Sequence, residues 1–129
     1  MMRKETLEAL RKEYPIGSRV ELVRMDDVQA PPIGTKGMVK GVDDIGSIMV
    51  AWDTGSSLSV VYGVDAVKRL NTVTTICYKS VEVWDSRREA QQSFHEAILG
   101  SDGAERERYL NVYMKLIMGL DVCSDDGDN

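Results

Sequence analysis

The chain has 129 residues, of which 43% are apolar and 6% aromatic, and its formal net charge is -5. This length holds one ordinary domain or two very small ones, and the acidic excess disfavours binding to nucleic acid by phosphate neutralisation. No run of about 18 apolar residues and no charged leader followed by an apolar segment occurs, so we expect a cytoplasmic protein without membrane contact.

The first 70 residues predict a helix followed by five short strands. Leu7, Leu10 and Tyr14 have the spacing of one apolar helical face, and Pro15 and Gly17 end that helix. Alternating apolar residues then predict strands in "SRVELVRM", "MVKGV", "SIMVAWD", "LSVVY" and the end of "GVDAVKRL". The segment "DDVQAPPIGTKG" predicts a long loop, because prolines cannot donate to a sheet and glycines permit turns. This order is typical of a small SH3-like barrel.

From Asn71 onward the pattern changes to a β-hairpin and two helices. The segments "TVTTICY" and "VEVWD", joined by a turn at "KS", predict the hairpin, and "LDVC" predicts a third strand beside it. Ser86 with Glu89, and Asp102 with Glu105, have capping-box spacing at the starts of the two helices. The predicted inner faces of these helices consist of Ala90, Phe94, Ala97 and Ile98, and of Tyr109, Val112, Tyr113, Leu116, Ile117 and Leu120.

We therefore predict an α+β protein of two modules. Residues 1–70 form an N-terminal helix and an SH3-like β-barrel, and residues 71–129 form a ββαα module that ends in the solvated acidic tail "SDDGDN". The charge is uneven: the first module has 10 basic and 10 acidic residues, whereas the second has 6 basic and 11 acidic residues. An acidic surface of this kind favours a basic protein partner.

The turns and the tail supply the candidate partner-binding residues. These are Asp26, Asp27, Asp43, Asp44, Asp53, Asp125 and Asp126. The aspartates of the first module, including Asp65, do not have the spacing of a calcium loop and lie where turns already require them.

The residue pattern gives little support for metal binding or catalysis. Cys77, His95 and Cys123 lack the paired spacing of zinc ligands. The chain has one histidine, no nucleophile elbow and no phosphate-binding loop, so we predict no enzymatic activity, no metal and no cofactor. A catalytic role would require His95 to lie beside a cysteine in a pocket.

Four arginines form the remaining group of candidate residues: Arg87, Arg88, Arg106 and Arg108. They lie in the first turns of the two C-terminal helices, where the helix dipole favours acids. One interpretation is a set of ion pairs within the module that fixes how the helices cross. The other is a small basic spot that engages a carboxylate or a phosphate.

The stretch "YPIGSRVELVRMDDVQAPPIGTKGMVKGVDDIGSIMVAWDTGSSLSVVYGVD" resembles a family of short domains of unknown function from Gram-positive bacteria and their mobile elements. The second half, with "SRREA" and "ERERY", resembles small accessory proteins of conjugative elements. Neither family supplies a catalytic residue. The resemblance implies a setting in which small acidic proteins are frequently inhibitors of host defence, including anti-CRISPR proteins.

These observations lead to two hypotheses. The first is a non-enzymatic anti-CRISPR protein whose acidic turns and tail bind the positively charged channel of a CRISPR effector nuclease and block DNA binding or cleavage. The alternative is an SH3-like adaptor that binds nucleic acid or protein in mobile-element transfer or regulation. Its predicted contacts are Lys36, Lys40, Lys68 and Arg69.

Overall fold

A computed structural model describes residues 2–127, which form two compact units divided between Leu70 and Asn71. The predicted tail residues Asp128 and Asn129 lie outside the described residues. The helices are α1 (Lys4–Glu13), α2 (Arg87–Leu99) and α3 (Gly103–Met118). The strands are β1 (Arg19–Arg24), β2 (Lys36–Val42), β3 (Ser47–Trp52), β4 (Val60–Val61), β5 (Ala66–Arg69), β6 (Val73–Cys77), β7 (Ser80–Trp84) and β8 (Val122–Ser124).

Unit 1 contains α1 and an antiparallel sheet with the strand order β4-β3-β2-β1-β5. The predicted helix and five strands are present, so the α+β class is confirmed. Within residues 2–127 no pairing between the edge strands β4 and β5 closes this sheet into a barrel. Two irregularities bend the sheet, one between Leu22 and Arg24 in β1 and one between Val39 and Gly41 in β2.

The core of unit 1 follows the alternation of the strands. Ile48, Val50 and Trp52 face inward on β3 and are each no more than 3% exposed. The Trp52 indole also donates from Nε1 to the Leu58 carbonyl at 2.9 Å, which anchors the segment after β3. Gly37 lets β2 approach this layer, because a Cβ there would lie 2.7 Å from Val50 Cγ1 and 2.8 Å from Trp52 Cε3.

Unit 2 contains a three-stranded sheet with the order β7-β6-β8. Strands β6 and β7 are antiparallel, whereas β8 pairs with β6 in parallel, as the third strand predicted from "LDVC". The hairpin turns at Tyr78 and Lys79, one residue earlier than predicted, with φ of 51° and 64°. Such a two-residue turn matches the twist of the strands and leaves Ser80 paired with Cys77.

Helices α2 and α3 cover one face of this sheet. The buried residues of the second core are Val73, Ala90, Phe94, Val112, Leu116 and Cys123. Phe94 makes edge-to-face contacts with Trp84 and Tyr109 at centroid distances of 6.3 and 6.2 Å. No helix in the described part of the chain is long and apolar enough to cross a membrane.

The helix ends agree only partly with the predicted signals. Ser86 Oγ accepts a hydrogen bond from the Glu89 amide at 3.1 Å, whereas Asp102 occupies the N-cap position of α3 without a side-chain cap bond. Gly119 ends α3 with φ of 89°. The assignment of Ile117 and Leu120 to the inner face is wrong, because they are 54% and 42% exposed.

Candidate functional site

A groove of about 660 Å³ opens in unit 1 beside the long loop between β1 and β2. Asp26 and Asp27 of that loop line it on one side, and Asp65 of the β4–β5 turn lines it as well. No lysine or arginine is among its lining residues. Three carboxylates therefore give the groove a negative potential, which attracts cations.

Hydrogen bonds to the backbone hold two of these carboxylates. Asp27 Oδ1 accepts from the Gln29 amide at 2.7 Å, and Asp65 Oδ2 accepts from the Val61 amide at 2.9 Å. Each bond uses one carboxylate oxygen and fixes the local turn. The acidic side of the groove is thus preorganised by its own backbone, which lowers the entropy lost when a partner binds.

The rest of the groove is apolar and hydroxylic. Met25 is buried at its base and Leu58 is half-buried, whereas Val61 and Val64 are 45% and 64% exposed. Arg24 Nε donates to the Val64 carbonyl at 3.2 Å and ties that turn to β1. The serines of the lining, Ser56, Ser57 and Ser59, add hydroxyl groups. An extended segment that carries a cationic side chain on an aliphatic stem matches this combination.

The predicted acidic residues of unit 1 do not converge on one surface. Asp26 and Asp27 line the groove, whereas Asp43 and Asp44 lie in the β2–β3 turn and are not part of its lining. Asp43 Oδ1 accepts from the amides of Ile45 and Ser47 at 3.2 and 2.8 Å, which stabilises the turn. Asp44 is 95% exposed and forms an ion pair of 3.0 Å with Arg11.

Asp53, which follows β3, is neutralised by an arginine of β1, across the intervening strand β2. Arg19 Nη1 and Nη2 donate to its two carboxylate oxygens at 2.9 and 2.7 Å. These hydrogen bonds hold the pKa of Asp53 below its ordinary value. A carboxylate paired in this bidentate way has less charge to offer a partner.

In unit 2, Asp125 is buried rather than part of a solvated tail. Its side chain is 8% exposed, and Oδ2 accepts from the Tyr78 amide and from Arg108 Nη1, each at 2.9 Å. The bond from the Tyr78 amide, followed by that from Arg108, holds the pKa of Asp125 below its ordinary value. Asp126 is exposed, and its carbonyl accepts from Lys115 Nζ at 2.8 Å.

Two of the four arginines act within unit 2. Arg87 donates to the carbonyls of Leu116 and Leu120, both at 2.8 Å, and so satisfies acceptors at the end of α3. Arg108 binds Asp125 in the first half of α3 and stacks over Tyr78, with its Cζ 4.8 Å from the ring centroid. Arg88 and Arg106 are exposed.

The alternative basic set lies mostly on the sheet of unit 1. Lys36 and Lys68 oppose Glu21 from the two neighbouring strands, and Lys68 Nζ is 3.2 Å from Glu21 Oε2. Arg69 donates to the Glu13 carbonyl at 3.2 Å, and Lys40 is exposed on β2. The acid between the two lysines weakens the positive potential of this face.

The residues weighed for covalent chemistry lie on three different elements, His95 on α2, Cys77 on β6 and Cys123 on β8. His95 is exposed and lies beside Tyr113, with the ring centroids 6.1 Å apart. Burial raises the pKa of both Cys77 and Cys123, which makes their thiols less reactive. Within residues 2–127 no three His, Cys, Asp or Glu side chains are grouped to hold a metal ion.

Sequence reasoning did not identify Asp65, Leu58 and Met25 as neighbours. Met25 lies more than thirty positions before the other two, and only the folding of the sheet brings it to the same groove. One local signal was available in the sequence. Asp65 follows Val61 by four residues, and its carboxylate accepts a hydrogen bond from the Val61 amide.

Comparison with known proteins concerns the first unit. A family model described as a domain of unknown function (DUF4314) matches residues 3–70. This match confirms the predicted resemblance of the N-terminal half to a family of unknown function. No curated protein and no solved structure matched the chain. The predicted resemblance of the second half to accessory proteins of conjugative elements stays a prediction.

Proposed function

We propose, from the premise that the chain belongs through residues 3–70 to the DUF4314 family, that it is a non-enzymatic binding protein. Its acidic groove receives basic side chains of a protein partner. One observation carries this proposal: Asp26, Asp27 and Asp65 line an open groove with an apolar base and without a lysine or arginine in the lining. Acidic grooves commonly recognise lysine and arginine in this way, by burying the aliphatic stem of the side chain and pairing its charged end with a carboxylate.

The partner in this proposal is a CRISPR effector nuclease, so that the chain acts as an anti-CRISPR inhibitor in the cytoplasm. The nucleic-acid channel of such a nuclease presents Lys and Arg side chains that hold phosphates, and the same side chains hold carboxylates. An acidic protein seated there blocks DNA binding or cleavage. The net charge of -5 and the resemblance to mobile-element proteins support this choice.

We further propose that unit 1 is an open relative of the SH3-like barrel. The N-terminal helix, the long loop after β1 and the antiparallel order β4-β3-β2-β1-β5 support this assignment. Small barrels of this kind often bind peptides beside their first long loop, which is where the acidic groove lies.

The test is a pull-down of purified effector nucleases, with and without guide RNA, on the immobilised full chain. The groove variant carries Asp26→Asn and Asp65→Asn, and the amide oxygen at position 65 still accepts from the Val61 amide. The control variant carries Asp44→Asn and Asp102→Asn, two exposed aspartates outside the groove. Both variants lose two negative charges, so long-range attraction changes equally.

We expect the groove variant to bind about tenfold more weakly than the control variant, because two close ion pairs are lost. Equal losses in the two variants would show that diffuse charge, not the groove, binds the nuclease. If the unmodified chain retains none of the effector nucleases, the proposed partner is refuted.

A second candidate function is an adaptor that binds nucleic acid in mobile-element transfer or regulation. The observation in its favour is that Lys36 and Lys68 flank one position of β1 on the same sheet face, with Lys40 exposed on β2. A gel-shift assay at increasing salt separates the two functions, since phosphate contacts weaken steeply with ionic strength. Salt-sensitive binding that Lys40→Ala reduces favours the adaptor.

A further inference from the structure

Each of the two turns that supply carboxylates to the groove also has an exposed valine beside its carboxylate. Val28 directly follows Asp27 and is fully exposed, whereas Val64 directly precedes Asp65 and is 64% exposed. Val64 and both aspartates line the groove, and Val28 stands in the chain between two lining residues, Asp27 and Gln29. An acidic and an aliphatic side chain therefore occur side by side at two separate places of the groove.

Folding of unit 1 does not account for these two valines. The first turn is closed by the Ala30 amide, which donates to the Asp27 carbonyl at 3.0 Å, so Val28 occupies a position where glycine, proline and polar residues predominate. The second turn is closed by the Val64 amide, which donates to the Val61 carbonyl at 3.1 Å. Neither valine belongs to the core that the described residues of unit 1 form. One exposed valine is common on a protein surface, but two beside the carboxylates of one groove form a pattern.

Asp26 is the carboxylate of the groove that has most of its charge available to a partner. Its side chain forms no hydrogen bond and no ion pair within residues 2–127, so both of its oxygens are open to a cation. Val28 follows it by two positions. Val64 comes to the same end of the sheet, because Arg24, two positions before Asp26, pairs with Ala66, two positions after Val64. A cation bound at Asp26 therefore has two aliphatic side chains as neighbours.

We propose that the groove recognises an extended segment of the partner in which a basic residue has an apolar residue two positions before it and another two positions after it. Side chains alternate along an extended chain, so these second neighbours stand on the same side as the basic residue, roughly 7 Å from it. The basic side chain pairs with Asp26, and the two apolar side chains cover Val28 and Val64. This inference rests on the proposed function, to which it adds the chemistry of the bound segment.

The test is fluorescence anisotropy of two short labelled peptides with blocked termini, titrated with the full chain to about 1 mM, where weak binding is still measurable. Each peptide has one central lysine as its only charged residue. The first peptide has leucine at both second-neighbour positions, and the second peptide has serine there. We expect the leucine peptide to bind about tenfold more tightly, because its two leucines are partly buried against the valines.

Variants of the chain assign this preference to named residues. Val28→Ser combined with Val64→Ser keeps every charge and both turn-closing bonds, which use backbone groups, and should make the two peptides bind equally. The matched control is Ile16→Ser combined with Ile45→Ser, two turn residues of unit 1 that are 78% and 77% exposed and lie outside the groove lining, and it should keep the preference. Asp26→Asn should weaken the binding of both peptides by a similar factor. Circular dichroism checks that each variant is folded.

The outcomes separate this inference from the proposed function. Equal binding of the two peptides to the unmodified chain, with both weakened by Asp26→Asn, would overturn the inference and leave the groove as a site for basic side chains. A preference for leucine that survives Val28→Ser with Val64→Ser would also overturn it. If neither peptide binds, or if Asp26→Asn does not weaken their binding, the role proposed for the groove is refuted together with the inference.

Discussion

Replacing Asp125 by alanine should destabilise unit 2 strongly. The side chain is 8% exposed and joins three segments: β8, which it follows, the β6–β7 turn through the Tyr78 amide, and α3 through Arg108. Alanine leaves the Tyr78 amide without its acceptor.

The magnitude follows from the nature of these two bonds. A hydrogen bond to a buried charged group contributes about 1.5 to 3 kcal/mol. Arg108 is half exposed, with 48% of its side chain accessible, so its ion pair adds little. We expect Asp125→Ala to lower the free energy of unfolding of unit 2 by about 2 to 3 kcal/mol. Asp125→Asn should cost about 1 kcal/mol, because an amide oxygen still accepts from Tyr78.

The assay is urea unfolding followed by tryptophan fluorescence. Unit 1 contains Trp52 and unit 2 contains Trp84, so a Trp52→Phe background makes the signal specific for unit 2. Asp126→Ala is the control, because this neighbour is exposed and only its backbone carbonyl accepts from Lys115. Equal effects of Asp125→Ala and Asp126→Ala would refute the role assigned to Asp125.

The same carboxylate sets a pH dependence. Its pKa in the folded chain is below the ordinary value of 3.8, so the unfolded chain binds more protons in the interval between the two values. The stability that the charge contributes is therefore fully present above pH 3.8 and is lost as the pH falls through the folded pKa. The stability difference between the unmodified chain and Asp125→Asn should shrink in that interval. A difference that grows on acidification would contradict this assignment.

Three further predictions are tested by urea unfolding or by thiol labelling. Arg87→Ala should lower the stability of unit 2 by about 1 to 2 kcal/mol, since the carbonyls of Leu116 and Leu120 lose their donor, whereas exposed Arg88→Ala should have almost no effect. Gly37→Ala should destabilise unit 1 by about 1 to 3 kcal/mol, because the new Cβ would lie 2.7 Å from Val50 Cγ1; an unchanged midpoint would contradict the tight β2–β3 contact. Thiol labelling at neutral pH, read by mass spectrometry, should modify Cys77 faster than fully buried Cys123, and the reverse order would contradict the packing of β8.

Local patterns in the sequence predict most of the elements. The alternation of Ile48, Val50 and Trp52 places β3 and its inner face correctly, and Ser86 and Gly119 mark the start of α2 and the end of α3. The parallel strand β8 was also predicted as an element, from four residues. These features are local, because each depends on residues that are only a few positions apart in the chain.

The tertiary roles of charged residues were not predictable in this way. Arg87 satisfies carbonyls about thirty positions later, and Asp125 accepts from an amide 47 positions earlier. Whether such a residue is exposed depends on how helices and strands pack, which periodicity does not determine. The groove also depends on contacts between residues distant in the chain, because Asp26 and Asp65 come together only through the pairing of β1 with β5.

The inner face of α3 shows a different limit. Apolar residues on all sides of this helix allowed Ile117 to be assigned to the core together with Val112 and Leu116, although it faces outward. Hydrophobic periodicity identifies a face only when the opposite face is polar.

The measurement that tests the central proposal most directly is target-DNA cleavage by a guide-loaded CRISPR effector nuclease after incubation with the chain. The proposal predicts that the unmodified chain and the variant with Asp44→Asn and Asp102→Asn protect the DNA at similar concentrations. The groove variant with Asp26→Asn and Asp65→Asn should require about tenfold more protein for the same protection. Full cleavage in the presence of excess unmodified chain, across a panel of effectors, would contradict it.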